Sequence, residues 1–319
     1  MNLLPAHPKN VHAVVVGAGT MGADVAVVLA RGGCRVTVVD PSDAKRTSLP
    51  SHVRQGLAPL GLERRADGVV AVPGLPSVDW HDAALVVECI PENLPMKQQL
   101  FAELVALAPA SAVLSSNSSS FPISAIAQTL AGRQRMLGLH FFMPAHLVPL
   151  VEVVCGPDSD LALADSLCAF MRGCGSVPVL VRKDKPGFLA NRLQHALARE
   201  AFAMIDEGVA TPEDVDAAVR FGFGFRYLAA GPVLQRDHAG LDVHCAAAAT
   251  MYPSLSSTTV PARVLQAHVD TGRLGMKTSA GFYEWPAERR QAERARYDRL
   301  LQQGLALLAG ELPPLDPTF

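Results

Sequence analysis

Blocks of lysine and arginine, Cys-x-x-Cys spacings and apolar stretches long enough to span a bilayer are all missing from this chain of 319 residues. With a formal net charge of -2 and only 18% charged residues, the lack of a basic block argues against nucleic acid or a membrane surface as the main partner. Six dispersed cysteines (Cys34, Cys89, Cys155, Cys168, Cys174 and Cys245) indicate neither a disulfide framework nor a zinc site. Reduced thiols in a cytoplasm are the expectation, and Met1 to Lys9, without the charged and apolar regions of a signal peptide, points the same way. His238 and His244 with Asp237 and Asp242 match no ligand spacing and read as solvated polar residues, so no metal is expected. Internal repeats and low-complexity tracts are also missing. The length suits two domains with an ample core.

What is present is concentrated first in Val11 to Asp40. Val11 to Val16 is a β-branched run of strand length, Gly17-Ala-Gly19-Thr20-Met21-Gly22 follows, and Ala23 to Arg31 has helical composition. In such a strand–turn–helix, Gly17 permits the tight turn, Gly19 lets a pyrophosphate approach the backbone, and Gly22 lets the helix pack closely on the strand. A second run, Arg35 to Val39, then delivers Asp40. That is where a carboxylate accepts hydrogen bonds from the adenosine ribose of NAD and where a 2′-phosphate is repelled, although Lys45 and Arg46 lie a little further on.

Strands and helices alternate to about residue 182, predicting a doubly wound parallel sheet of the Rossmann type. Ala84–Glu88, Ala112–Ser115, Met136–His140, Val148–Val154 and Val177–Val181 read as further strands; Leu94–Leu107, Ile123–Leu130 and Ser159–Met171 read as helices. Arg182 to Gly187 has the charge, proline and glycine of a junction, which sets an NAD-binding domain at residues 1–183. An all-α domain at 184–319 follows, with helices at Phe188–Glu207, Pro212–Arg220, Leu234–Met251, Val260–Thr271 and a surface helix within Pro286–Gly310. Thr211-Pro212-Glu213-Asp214 is a good helix start.

Ligands of such sheets bind at the carboxyl ends of the strands. Four segments bring chemistry there: Cys89 to Asn93, Ser116 to Ser120, His140 to Pro144, and Val151-Glu152-Val153. A histidine and a glutamate converging on a nicotinamide suggest an alcohol dehydrogenase. His140 would take the hydroxyl proton as hydride leaves, and Glu152 would hold one ring nitrogen's proton. Ser119 and Asn191 would brace the oxygen on which charge builds. A buried Glu152 without a partner would be costly, which favours its pairing with His140.

These motifs resemble the 3-hydroxyacyl-CoA dehydrogenases and their relatives that oxidise free 3-hydroxy acids, such as gulonate and carnitine dehydrogenases. The resemblance runs from GAGTMG at Gly17 through PEN at Pro91, SNSSS at Ser116, HFFMP at His140, PLVEV at Pro149, KPGFLANRL at Lys185 and GPVLQRDHAGLDV at Gly231 to GMKTSAGFYEW at Gly275. It implies a reversible NAD-dependent oxidation of a secondary 3-hydroxyl, 3-hydroxyacyl-CoA to 3-oxoacyl-CoA, with a small free 3-hydroxy acid as the alternative substrate, and gives His140 and Glu152 as the catalytic pair, Ser119 on the substrate side and Asn191 as the catalytic asparagine. It also implies cofactor contacts from Gly17, Gly19, Thr20, Met21, Gly22, Asp40, Glu92, Lys97, Asn117 and Lys277, and a homodimer through the helical domain. Two other readings share features: a crystallin-like structural protein, against which intact His140, Glu152 and Asn191 speak, and the 3-hydroxyisobutyrate type, which lacks the His140–Glu152 spacing.

Three departures bear on the substrate. Met143 stands where the family's HFFNP motif has asparagine. The stretch from Asp40 to Glu92 is short and interrupted by Pro50, Gly56, Pro59, Gly61, Pro73, Gly74 and Pro76, so the arm that covers CoA in the acyl-CoA enzymes is abbreviated. The turn from Gly222 to Gly231 resembles the free-acid branch and centres on Arg226, a candidate bidentate clamp for a substrate carboxylate.

Overall fold

The computed structural model describes residues 3–316. The chain forms two compact units, residues 1–191 with 310–319, and residues 192–309. The division falls later than the 183/184 junction read from composition, and the last residues return to the first unit instead of ending the helical one.

In the first unit, one sheet of eight strands runs in the order β3-β2-β1-β4-β5-β6-β7-β8. The strands are β1 (His12–Val16), β2 (Arg35–Val39), β3 (Val69–Val72), β4 (Ala83–Glu88), β5 (Val113–Ser116), β6 (Met136–Phe141), β7 (Leu150–Cys155) and β8 (Val177–Val181). Helices α1 (Thr20–Arg31), α2 (Asp43–Leu57), α3 (Leu94–Leu107), α4 (Ile123–Ile126) and α5 (Leu161–Gly173) flank it. Strand residues alternate between two cores: Ala13 and Val15 pack with Val25, Leu29, Leu49 and Leu167, while Val14 and Val16 pack with Phe101, Leu104 and Ile126. Both faces are therefore apolar, and only the strand ends are free to carry polar chemistry.

Three elements differ from their expected form. β7 runs antiparallel to β6, because Phe142–Pro149 between them holds no helix to carry the chain back across the sheet. α2 runs unbroken through Pro50 and Gly56. Pro50 faces solvent, and burying Leu49, Val53 and Leu57, at about 1.5–3 kcal/mol each, outweighs the roughly 3 kcal/mol that an interior proline costs. Gly56 has a packing role, since a Cβ there would stand 2.8 Å from Val27 of α1. The interruptions expected between Asp40 and Glu92 begin only at Pro59. The helix expected to reach Leu130 stops at Ile126.

The second unit takes in most of α6 (Ala190–Asp206), then α7 (Pro212–Ala218), a π-turn at Val219–Phe223, α8 (Gly224–Arg226), α9 (Pro232–Ala239), α10 (Leu241–Met251), α11 (Arg263–Asp270) and α12 (Ala287–Leu307). Thr211 and Asp214 form a reciprocal capping box on α7. Gly240, at φ 95°, splits the helix expected over Leu234–Met251. Among the described residues, α6 to α12 carry no buried side chain. No described helix is long and apolar enough to cross a membrane.

Candidate active site

The glycine turn closes the carboxyl end of β1. Gly17 sits at φ +106°, and a Cβ on Gly22 would lie 1.8 Å from the Gly17 carbonyl oxygen, so the turn and the first turn of α1 pack in a way that admits no side chain. The same construction leaves open space beside Gly19, and no side chain caps the start of α1. Uncapped amides at a helix N-terminus with room in front of them fit a pyrophosphate. At the end of β2, Asp40 reaches back to this turn: Oδ2 accepts from the Ala18 amide at 2.8 Å and Oδ1 from the Ser42 amide at 2.9 Å. Burial opposes ionisation of Asp40, but these amides and the Lys45 ammonium outweigh it and hold the carboxyl below its usual range. Gly17, Gly19, Thr20, Met21, Gly22 and Asp40 thus meet in one cradle suited to NAD.

Next along the strand ends lies a buried ionic network that the sequence disclosed only in part. Lys97, 1% exposed, places its ammonium 2.7 Å from Glu88 Oε1 and 3.2 Å from Glu92 Oε2. Glu88 also accepts from Ser116 Oγ at 2.6 Å, and Glu92 accepts from Ser118 Oγ at 2.6 Å and the Ser120 amide at 3.0 Å. Burial works against the Glu92 charge, while Ser118 and Lys97 stabilise it enough to lower its pKa. Lys97 therefore holds Glu88 and the loop after β4, and Glu92 links that loop to the one after β5. Glu88 and Ser118 were missed by sequence reasoning. A lone acid closing an apolar strand was the available signal for Glu88, the same one that singled out Asp40.

Asn117 spends its side-chain oxygen on the Phe141 amide at 2.9 Å, beside His140. Ser119 is exposed on the same loop. His140, next to last in β6, lies opposite Glu152 of β7, with Nδ1 2.7 Å from Oε2. The other carboxylate oxygen accepts from the Leu189 and Ala190 amides at 3.0 and 2.7 Å, immediately before Asn191. Burial penalises ionised Glu152, yet the bond to His140 and the two amides prevail and lower its pKa. Phe142 and Phe188 pack their rings 4.5 and 5.5 Å from the imidazole. Because an ionised Glu152 can only accept, the proton of this bond sits on Nδ1, and in the neutral imidazole that leaves the lone pair on Nε2.

The loop that follows, with Met143 65% exposed, is pinned by buried Asp24 of α1. Asp24 accepts from the Ala145 amide at 3.0 Å and lies 2.9 Å from His52 Nε2 and 3.1 Å from His146 Nδ1. Burial pushes its pKa up, but the two imidazoles bring it down to about 2. In the helical unit, Lys277 is exposed in the turn bracketed by the Gly275–Ala280 bridge, and exposed Arg226 ends α8 just after the π-turn. Among the described residues, no group of three His, Cys, Asp or Glu is arranged to hold a metal.

A dinucleotide cradle at the ends of β1 and β2 and a buried histidine–glutamate pair on β6 and β7 of the same sheet fit one class: an NAD-dependent dehydrogenase acting on a hydroxyl group. The chain belongs to the 3-hydroxyacyl-CoA dehydrogenase family, matching its NAD binding domain over residues 12–185 and its C-terminal domain over 187–285. It is 31% identical to 5-formyl-3-hydroxy-2-methylpyridine 4-carboxylate 5-dehydrogenase of Mesorhizobium japonicum, covering 88% of this chain and 94% of that protein. It is 36% identical to 3-hydroxybutyryl-CoA dehydrogenase of Mycobacterium tuberculosis, covering 85% and 97%. A solved structure of 5-formyl-3-hydroxy-2-methylpyridine 4-carboxylic acid 5-dehydrogenase, described as an NAD+-dependent dismutase, superposes with a TM-score of 0.88 at 30% identity, covering 95% of this chain and 99% of that one. A solved Mycobacterium tuberculosis relative gives 0.71 at 34% identity, covering 87% and 100%.

Proposed function

We propose that this enzyme oxidises, reversibly, a hydroxyl on a small free carboxylic acid, with His140 as general base. The His140 Nδ1–Glu152 Oε2 contact of 2.7 Å carries the mechanism: it leaves Nε2 as the acceptor for the hydroxyl proton and places a carboxylate to stabilise the imidazolium that results. Bound NAD supplies the hydride acceptor. Ser119 and Asn191 donate to the substrate oxygen, and Phe142 and Phe188 keep water from the imidazole. Glu92 and Lys277 contribute to the cofactor's surroundings, and Asn117 and Lys97 act through the loops they hold.

Two observations support a free carboxylate over a thioester. The arm between Asp40 and Glu92 contains a single long helix, α2, followed by 3₁₀ segments of three to six residues. Arg226 stands exposed on a short helix beside a π-turn, available to a carboxylate. The acyl-CoA reading retains one specific support, the 36% identity to 3-hydroxybutyryl-CoA dehydrogenase. Turnover of acetoacetyl-CoA measured beside a panel of free 3-hydroxy and formyl carboxylates decides between them; efficient use of the thioester with none of the acids overturns the proposal. A crystallin-like structural role requires neither the buried Glu152 nor its pairing with His140.

The working form is a homodimer through the helical unit, whose Phe221, Val233 and Tyr252 are 74%, 79% and 70% exposed. A reducing cytoplasm suits the six free cysteines.

A further inference from the structure

The loop between β6 and β7, residues 142–149, has little in its own backbone to hold it. The Leu147 and Val148 amides both donate to the Pro144 carbonyl oxygen, at 3.0 and 2.9 Å, and further anchors come from outside the loop. Helix α1 supplies two. Asp24 Oδ2 accepts from the Ala145 amide at 3.0 Å. Two turns along the same helix face, Arg31 donates to the His146 carbonyl oxygen at 3.4 Å while it also binds the Cys174 carbonyl oxygen and Ser176 Oγ at 2.7 and 3.2 Å. The other oxygen of Asp24 meets two imidazoles. His52 of α2 stands 2.9 Å away through Nε2, and His146 Nδ1 lies at 3.1 Å without the alignment of a hydrogen bond. Burial opposes the charge of Asp24, but the imidazoles bring its pKa down to about 2, so the carboxylate is ionised and can only accept. One buried charge thus joins α1, α2 and the loop. That loop begins with Phe142, whose ring lies 4.5 Å from the His140 imidazole in an edge-to-face arrangement.

We propose that Asp24 is a positioning residue for the catalytic base: by holding Ala145 and His146 it sets the Phe142 ring against His140 and so fixes the direction of the imidazole, a role that presupposes His140 as general base. A buried ion pair stabilises a fold no better than well-packed apolar side chains of similar volume, and here it supplies a single geometry instead. Ala145 is three residues from Phe142, so releasing its amide frees the ring as well. His52 holds the same carboxylate from α2, which fixes the loop to two helices. A displacement of about 1 Å in a reacting group costs on the order of 10²-fold in rate, enough for a side chain that never touches the substrate to govern turnover.

The test compares Asp24→Leu, of similar shape and uncharged, with Asp24→Asn, which keeps an oxygen for the Ala145 amide. Two readouts are followed: the proton magnetic resonances of the His140 ring, assigned by their loss in His140→Gln, and NADH-dependent reduction of acetoacetate and of acetoacetyl-CoA. In Asp24→Leu the His140 resonances should move toward their positions in Phe142→Leu, because the ring current of Phe142 no longer falls on them in the same way. The kcat should drop by about 10–100-fold with NADH affinity held within about twofold, and Asp24→Asn should recover at least about threefold of that loss. In a His140→Gln background, Asp24→Leu should cost less than about twofold, since no base is left to position. Unmoved His140 resonances, an unchanged kcat, or an equal loss in the His140→Gln background overturns the proposal. His140→Gln turning over like wild type is a separate failure, which removes the base itself and the positioning role with it. Should Asp24→Leu fail to fold, His52→Ala combined with His146→Ala, at side chains 41% and 22% exposed, puts the same question. The resonances should shift in the same direction and kcat should fall at least about fivefold; no change in either overturns the proposal.

Discussion

His140 stands directly opposite Glu152 across the β6–β7 ladder, 2.7 Å from imidazole nitrogen to carboxylate oxygen. The pairing exists because β7 is antiparallel: the strand turns back after a short loop and brings an acid twelve positions downstream into register with the histidine. If His140 is the base, His140→Gln should lower turnover on the order of 10²–10⁴-fold while NADH binding, followed by fluorescence titration, stays nearly intact. Equal loss of cofactor affinity would make the residue structural.

Glu152 links the site to stability through pH. Its pKa is held below the ordinary carboxylate value by His140 and the Leu189 and Ala190 amides, against the opposing effect of burial. The native state therefore favours the ionised form. The resulting stabilisation is fully present above the ordinary carboxylate pKa and is lost as pH falls through the depressed native value. Glu152→Gln should reduce the melting temperature at pH 7, and the gap to wild type should narrow progressively below about pH 4. A gap independent of pH would mean that the charge of Glu152 contributes nothing to the fold.

Lys97 is an ammonium in the core between Glu88 and Glu92, and removing one partner from a buried ionic group leaves the others uncompensated. Lys97→Met should destabilise by about 3–5 kcal/mol in urea unfolding, and adding Glu88→Gln should recover part of that loss. Strict additivity of the two changes would show that Lys97 and Glu88 do not interact.

How much of this was legible beforehand follows from what each feature depends on. The glycine turn, Asp40 and His140 are set by chemistry that only a few residue types satisfy, and the sequence displays them. The direction of β7 depends on loop length and on the missing crossover helix, while alternation of apolar residues reads the same in either direction. α2 was obscured by Pro50 and Gly56, whose local propensities are overridden by three buried apolar side chains and by close packing on Val27. Glu88 closes Leu85-Val86-Val87 as Asp40 closes its own strand, but its partner Lys97 lies nine positions on in a helix, and that pairing is visible only in three dimensions.

The apolar surface of the helical unit carries the next expectation. Phe221→Asp, at a position 74% exposed, should shift the protein from dimer to monomer in light scattering without loss of far-ultraviolet helical signal. A wild-type protein that is monomeric at micromolar concentration would refute the homodimer.

The carboxylate clamp proposed for Arg226 has its own test. A free carboxylate entering a mostly apolar site needs a paired cation, and a guanidinium supplies two parallel donors; a thioester has no charge at that carbon and no such need. Arg226 is exposed, at the end of α8, where the π-turn and the non-helical Gly222 interrupt the regular helix. Arg226→Met should raise KM for a free hydroxy acid by about 10²-fold, matching the ~3 kcal/mol of a charged hydrogen-bonded pair, with a much smaller effect on acetoacetyl-CoA. Arg226→Lys should restore only part of the loss, because a point charge replaces a planar fork. If the methionine variant instead leaves KM for the free acid unchanged and reduces the dimer's stability, the guanidinium belongs to the subunit contact, and the carboxylate must be recognised by another group.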